Sequence, residues 1–208
     1  MPLPRRDFLR VGVSASVAGL AGCLNSGGSL AGQTVESLPT PTLGAEDAPV
    51  TVKAFEDYAC HHCRNYVLQT LPKIRSTYVE SGIVRYEHHD FPIPVDETWS
   101  YQAASAARAV QDTVGTEAFF EFSRGLYENF GEYTMNLLGH LAGEVGADPQ
   151  TIQDAARNLT YKPVLAADRK RGVEMGVRGT PAIFVEGTLL PAYDWATVSS
   201  AIESARVD

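Results

Sequence analysis

A chain of 208 residues has room for one domain and an extension, and a domain of that size buries a full core without disulfide staples. Its three cysteines are therefore no scaffold of the small secreted kind. A net charge of −8 with no basic stripe argues against a nucleic-acid partner, because phosphate repels an acidic surface. The cations are 13 Arg and only 4 Lys. Such an acidic, lysine-poor surface stays solvated in strong salt; it fits a halophilic source, or an ordinary acidic protein kept soluble by its charge.

The N-terminus reads as an address rather than as part of the fold. Arg5 and Arg6 precede Phe8 and Leu9, and a weakly apolar run follows from Val11 to Gly22, too short for the roughly 20 residues that span a bilayer. This order resembles a twin-arginine export signal over residues 1–22. The run ends in Leu20-Ala21-Gly22-Cys23, which resembles a lipoprotein box with Cys23 as the lipidated first residue; simple cleavage with Cys23 incidental is the other reading. Stable anchoring to a membrane would take two lipid chains. Residues 23–49 are rich in Ser and Gly and then in Pro, with no apolar period, and predict a flexible linker of about 25–30 Å r.m.s. span.

From residue 50 onward the pattern becomes regular. Val50, Val52 and Phe55 predict a strand ending near Glu56. A helix is expected from about Cys60 to about Glu80, kinked at Pro72 and stopped by Gly82. Ile83 to His89 predicts a second strand, parallel to the first. Helical segments then follow over 100–114, 116–130, 136–145, from Asp148-Pro149 onward, and 163–175. Residues 182–185 and 188–190 predict a hairpin, and Asp194 caps a last helix. The expected fold is α/β and thioredoxin-like, over residues 50–208, with a helical insertion at about 99–175 between the βαβ unit and a C-terminal ββα unit.

Cys60-His61-His62-Cys63 falls where a strand gives way to a helix. The first helical turn presents unpaired N–H groups and the positive end of the helix dipole, which favour a thiolate at Cys60. Thiolate is the reactive species, and two intervening residues bring the sulfurs together on one turn. His61, next to Cys60, can charge near neutral pH and add to this effect.

Three motifs in one order narrow the reading. Asp57-Tyr58-Ala59-Cys60-His61-His62-Cys63, Arg85 to Pro92 with its Asp90-Phe91-Pro92 turn, and Gly176-Val177-Arg178-Gly179-Thr180-Pro181 together resemble the DsbA-like branch of the thioredoxin superfamily. The resemblance implies that Cys60 and Cys63 are catalytic, Cys60 exposed and attacking, Cys63 inner and resolving. It implies that Pro181 is a cis proline facing them, that Thr180 offers backbone groups to a substrate peptide, and that His61 and His62 belong to the active-site loop. His61 departs from the proline usual there. Ala54 departs from the buried acid often found six residues before the first cysteine. Glu56 and Asp57 are nearby acids, read here as solvated turn residues.

The implied activity is exported thiol–disulfide exchange, donating disulfides to extracytoplasmic proteins on the outer face of the cytoplasmic membrane. Partners would be exported protein thiols or disulfides and an unidentified redox partner; no cofactor is implied. Reductase or isomerase action on exported thiols is the alternative, although nothing suggests the dimerisation segment an isomerase wants. Metal binding by Cys60, His61, His62 and Cys63, with His88 and His89 nearby, is a weaker rival, because four ligands on one turn cannot wrap a tetrahedron. His88 and His89 read as a polar strand end. A structural disulfide in a binding module is a further possibility.

Overall fold

The structure is a computed structural model and describes residues 34–93 and 96–206. The expected signal peptide, Cys23 and the first part of the expected linker lie outside the described residues. Strand β1 (Thr42–Leu43) precedes β2 (Val50–Glu56), and β3 (Val84–Asp90) lies parallel to β2. Strand β4 (Ala182–Val185) runs antiparallel along the other side of β2, and β5 (Thr188–Leu189) pairs with β4. The sheet order is therefore β1-β3-β2-β4-β5. Strand β2, in the centre, is covered on both sides. Val50, Val52 and Ala54 pack in one core with Cys63 and Tyr66, while Phe55 packs in a second with Phe91, Val177 and Phe184. Period-2 alternation puts Glu56 on the same face as Ala54.

The expected kinked helix after β2 is a continuous helical tract with two wide turns. Helix α1 (His61–Asn65) passes into a π-helical turn (Tyr66–Thr70), then α2 (Leu71–Ile74) and a second π-helical turn (Arg75–Val79). Pro72 has no N–H to offer, so the backbone slips before it, and Leu71 N–H bonds Tyr66 O five residues back.

Helices α3 (Trp99–Thr113), α4 (Thr116–Glu128), α5 (Met135–Glu144), α6 (Pro149–Asn158) and α7 (Lys162–Glu174) form the insertion, and α8 (Trp195–Ala205) closes the chain. Alanines 103, 104, 106, 107 and 109 are buried on α3, and their small side chains let α4, α6 and α7 approach it closely. Asp148 and Asp194 accept the N–H of Thr151 and Thr197, capping α6 and α8 as the sequence predicts. Gly172 on α7 is forced by packing: a Cβ there would meet the Phe91 ring at 2.6 Å.

The linker reading needs correction over residues 34–49. Val35 N–H bonds Thr160 O at 2.9 Å, Gln111 Nε2 bonds Pro39 O at 2.8 Å, and β1 pairs with β3. Val35 and Leu38 pack on the core, and Leu43 is buried in it. Three apolar anchors spaced irregularly between prolines give no period, yet they cover the free edge of β3. Gly44, at φ +89°, makes the reversal into β2; a Cβ there would meet Val84 O at 2.3 Å.

The insertion is held to the sheet by buried charge. Arg108, on α3, is 1% exposed. Its Nε donates to Asp90 Oδ2 of β3 at 2.6 Å and its Nη2 to Asp168 Oδ2 of α7 at 2.5 Å. The expectation that His88 and His89 form a polar strand end is also corrected, since both are buried in this network. His88 lies 3.3 Å from Asp90 and 3.5 Å from Glu56, and His89 lies 3.2 Å from Asp168. Arg108→Met should destabilise the fold by about 3–5 kcal/mol, because two buried carboxylates lose their counter-charge. Equilibrium denaturation of the two proteins under one set of conditions measures this directly.

Candidate active site

The turn between β2 and α1 is fixed before any chemistry is considered. Asp57 accepts Ala59 N–H on Oδ1 at 2.8 Å, and Ile93 N–H and the Ser100 hydroxyl on Oδ2 at 2.6 and 2.9 Å. The Tyr133 hydroxyl donates to Tyr58 O at 2.8 Å, and Tyr58 Oη lies 3.0 Å from Ser123 Oγ. The insertion thus grips the turn from α3, α4 and the segment before α5. Glu56 and Asp57, read from the sequence as solvated, are both buried. Burial pushes the Asp57 carboxyl up to about 6 against three hydrogen bonds that pull it down.

Cys60 is the N-cap residue of α1, and Cys63 lies one turn on. Both are thiols here and both are buried, so the expectation of an exposed Cys60 is corrected: it keeps 6% exposure because the Thr180–Pro181 loop packs against it, while Cys63 keeps none. The Thr180–Pro181 bond is cis. The pairing of Ala182 with Phe55 brings this loop beside the cysteines, and Cys60 Sγ donates to Thr180 O at 3.3 Å. Cys63 Sγ is completely buried and accepts Asp57 N–H at 3.4 Å. Cys60, Cys63, Thr180 and Pro181 thus converge on one point. His61 and His62 point outward. The His61 ring meets Phe130 edge-on at 5.9 Å, and His62 Nδ1 lies 2.8 Å from Tyr193 Oη. Tyr193 comes from the segment before α8, and no motif in the sequence marks it.

The two thiols differ in acidity for separable reasons. A hydrogen bond from Cys63 lowers the Cys60 pKa to about 5 against the opposing effect of burial, helped by Thr180 and by the amides of Cys63 and His62. Cys60 makes no direct capping bond of ordinary geometry, so the helix terminus acts through its field and its two nearest amides. His61, expected to assist, is not among the main contributors. Thr180 Oγ1 is buried without another partner, which leaves it free to face a charged sulfur. Cys63 is pushed well above the ordinary thiol range by burial, then by its bond to Cys60 and by the nearby charges of Cys60 and Glu56. An acidic thiol that retains some exposure beside a fully buried neutral one is the arrangement that exchanges disulfides from one side. Among the described residues, no group of three or more His, Cys, Asp or Glu has metal-holding geometry.

Because Cys60 titrates lower folded than unfolded, its thiolate stabilises the reduced fold fully above the unfolded thiol pKa, and this contribution is lost as pH falls toward about 5. The oxidised protein lacks this group. The stability of the reduced form relative to the oxidised form should therefore rise between pH of about 5 and about 8.5. Parallel denaturation series of both redox forms, with the ultraviolet absorbance of the thiolate followed alongside, test it; a gap independent of pH contradicts the assignment.

The geometry agrees with similarity to known proteins. The family described as thioredoxin matches residues 36–204. Disulfide bond formation protein D of Bacillus subtilis is 26% identical over 173 residues, covering 78% of this chain and 75% of that protein. The crystal structure of oxidised BdbD from Bacillus subtilis superposes with a TM-score of 0.75 at 26% identity, covering 85% of this chain and 100% of the other. Chlamydia trachomatis DsbA shares the fold, with a TM-score of 0.72 at 18% identity over 84% of this chain and 96% of the other. The chain belongs to the thioredoxin family, in its DsbA-like form, and is a thiol–disulfide oxidoreductase.

Proposed function

We propose that this protein donates disulfides to exported proteins, with Cys60 as the exchanging sulfur and Cys63 as the resolving one. The observation that carries this reading is the acidity of Cys60 beside a buried Cys63. A thiolate stabilised at Cys60 favours the reduced state of the pair, which makes the disulfide a stronger oxidant. In the donating direction, a substrate thiolate attacks Cys60 Sγ and the Cys60–Cys63 bond breaks. A second substrate thiolate then attacks the mixed disulfide and Cys60 leaves as thiolate. Thr180, beside the sulfur, presents its backbone to the incoming peptide, and Pro181 holds that segment against the site. The Bacillus relatives, named disulfide bond formation protein D, support the same direction.

Export on a twin-arginine signal over residues 1–22, with a lipid anchor at Cys23, completes the reading; an unidentified redox partner would reoxidise the pair outside the cytoplasm. Among the described residues, no helix is long and apolar enough to cross a membrane.

Cys60→Ser should abolish disulfide transfer to a reduced peptide, while Cys63→Ser should accumulate mixed disulfides that survive denaturation under acid. Turnover by the Cys60→Ser protein contradicts the roles. Equilibration with glutathione should give a potential above about −200 mV; a value near −270 mV favours the reductase reading instead. Cys23→Ser should move the exported protein from the membrane fraction to the soluble one with its exchange rate unchanged, and continued membrane retention contradicts the anchor.

A further inference from the structure

Two hollows border the loop that carries Cys60, and they differ in charge. One lies toward the cis proline and is lined by Pro181, Arg178 and residues of the β4–β5 hairpin. Arg178 is exposed there, and among the described residues no acid lines that hollow. The other opens beside Ala59, the residue before Cys60, with a volume of about 350 Å³. Trp99, Phe130, Gly131 and Tyr133 form its walls, and Asp96 supplies its one charged side chain. Among the described residues no Lys or Arg lines it.

Two distant segments build the second hollow. After α4, Gly131 at φ +84° turns the chain, and Glu132 N–H closes the bend on Asn129 O at 3.0 Å. The bend sets Phe130 edge-on to Tyr133, with ring centroids 6.3 Å apart. At the start of α3, Asp96 Oδ1 accepts the N–H groups of Thr98 and Trp99, both at 2.9 Å, and Trp99 meets the Tyr133 ring at 5.7 Å. Among the described residues Asp96 Oδ2 accepts no hydrogen bond. The walls are held before any substrate arrives: Tyr133 by its bond to Tyr58 O, Trp99 by packing on the core, Phe130 by its edge contact with His61. Trp99 and Phe130 are only half-buried, so part of each ring is left for a further contact.

Aromatic faces carry negative charge density, and a carboxylate at the end of an aromatic slot adds a full charge, so the lining suits a cation. A guanidinium fits both parts, since it stacks on a ring while donating to a carboxylate oxygen. Exposed Glu132, within the bend, adds a second negative charge nearby. The cation whose charge reaches Tyr133 is Arg64 of α1, which does not line the hollow.

We propose that this hollow is a substrate subsite that takes a basic side chain, Arg above Lys, from the polypeptide whose cysteine meets Cys60. The proposal rests on the reading of Cys60 as the sulfur that exchanges with polypeptide thiols. A basic side chain placed toward the other hollow would face Arg178, and like charge disfavours that placement. The cation therefore matters on one side of the substrate cysteine and not on the other.

The test mixes oxidised protein with reduced dithiol peptides under single-turnover conditions and follows the loss of peptide thiols. The Cys60–Cys63 bond opens to two thiols as the peptide closes its own disulfide. Arg is moved through the positions on either side of the first peptide cysteine, and each peptide is paired with one carrying citrulline, which has nearly the same shape without the charge. In the wild type the Arg peptide should react about tenfold faster than its citrulline partner, on one side of the cysteine only, and Lys should gain less. The ratio should shrink as salt rises from about 0.1 M to about 1 M. Asp96→Asn keeps an oxygen to cap α3 and should bring the ratio to within about twofold. Phe130→Leu should lower it by about threefold. Each ratio is taken within one protein, so a general loss of rate or stability cancels. A wild-type ratio within about twofold at every position, a preference for Leu or Trp over Arg, or a ratio unchanged in both variants overturns the subsite. If no peptide is oxidised at all, the donating reading fails instead, and the same ratio read on reduction of the disulfide peptides still decides the subsite.

Discussion

Everything in this protein hangs from a guanidinium that water does not reach. Arg108 holds one carboxylate from the sheet and one from α7, and so fixes the helical insertion against β3. Each of these charges alone would cost several kcal/mol to bury, and together they still offer less net stability than apolar packing of the same volume. What the arrangement supplies is position. Asp90 stands at the end of β3 opposite Glu56 in the strand register, and His88 lies between the two carboxylates, one ring nitrogen toward each. The same insertion, placed by Arg108, brings Ser100, Ser123 and Tyr133 against the turn that carries the cysteines. An exchange loop assembled on a helix terminus alone would be free to rock; here three separate segments hold it.

Within that frame the two sulfurs are driven apart in acidity by the same contact. A hydrogen bond between them lowers Cys60 and raises Cys63, and burial adds to the second while opposing the first. Neither histidine of the loop is needed for this split. Their rings lie outward, against Phe130 and Tyr193. Their place fits contact with substrate better than tuning of the thiolate.

Much of the fold was legible because its elements carry their own punctuation. Asp148-Pro149 and Asp194 announce helix starts, Glu186-Gly187 a hairpin turn, and Val50 to Glu56 a strand, and each element lies where these signals place it. Residues 34–49 were not legible, because attachment there depends on Val35, Pro39 and Leu43 finding partners more than 40 residues away, at Thr160, Gln111 and β3. Nothing local reports such a contact. The cysteine turn was legible by spacing, whereas the acids beside it were misread. Glu56 had a usable signal: it continues the alternation Val50, Val52, Ala54, and an acid in phase with a buried face is a buried acid. Asp57, Arg108 and Tyr193 had none, since their partners come from distant elements.

The charges gathered at the turn also oppose one another in pH. Asp57 titrates higher in the fold than free, so its contribution falls as pH rises from about 3.8 to about 6. Cys60 contributes more as pH rises from about 5, and His88 contributes less between about 6.5 and about 9. In the reduced protein the opposing slopes largely cancel on either side of neutrality. Oxidation removes the contributions of both thiols, that of Cys60 and the opposing one of Cys63, which acts above the ordinary thiol range, and leaves Asp57 and His88 to destabilise the fold with rising pH. It also removes the Cys60 charge that helps hold the Asp57 proton, so the two groups titrate as a pair while the thiols are free. The redox state of one bond is thereby written into the electrostatics of the whole turn, and the reduced form gains from Cys60 between about pH 5 and the ordinary thiol range, above which the buried Cys63 works the other way.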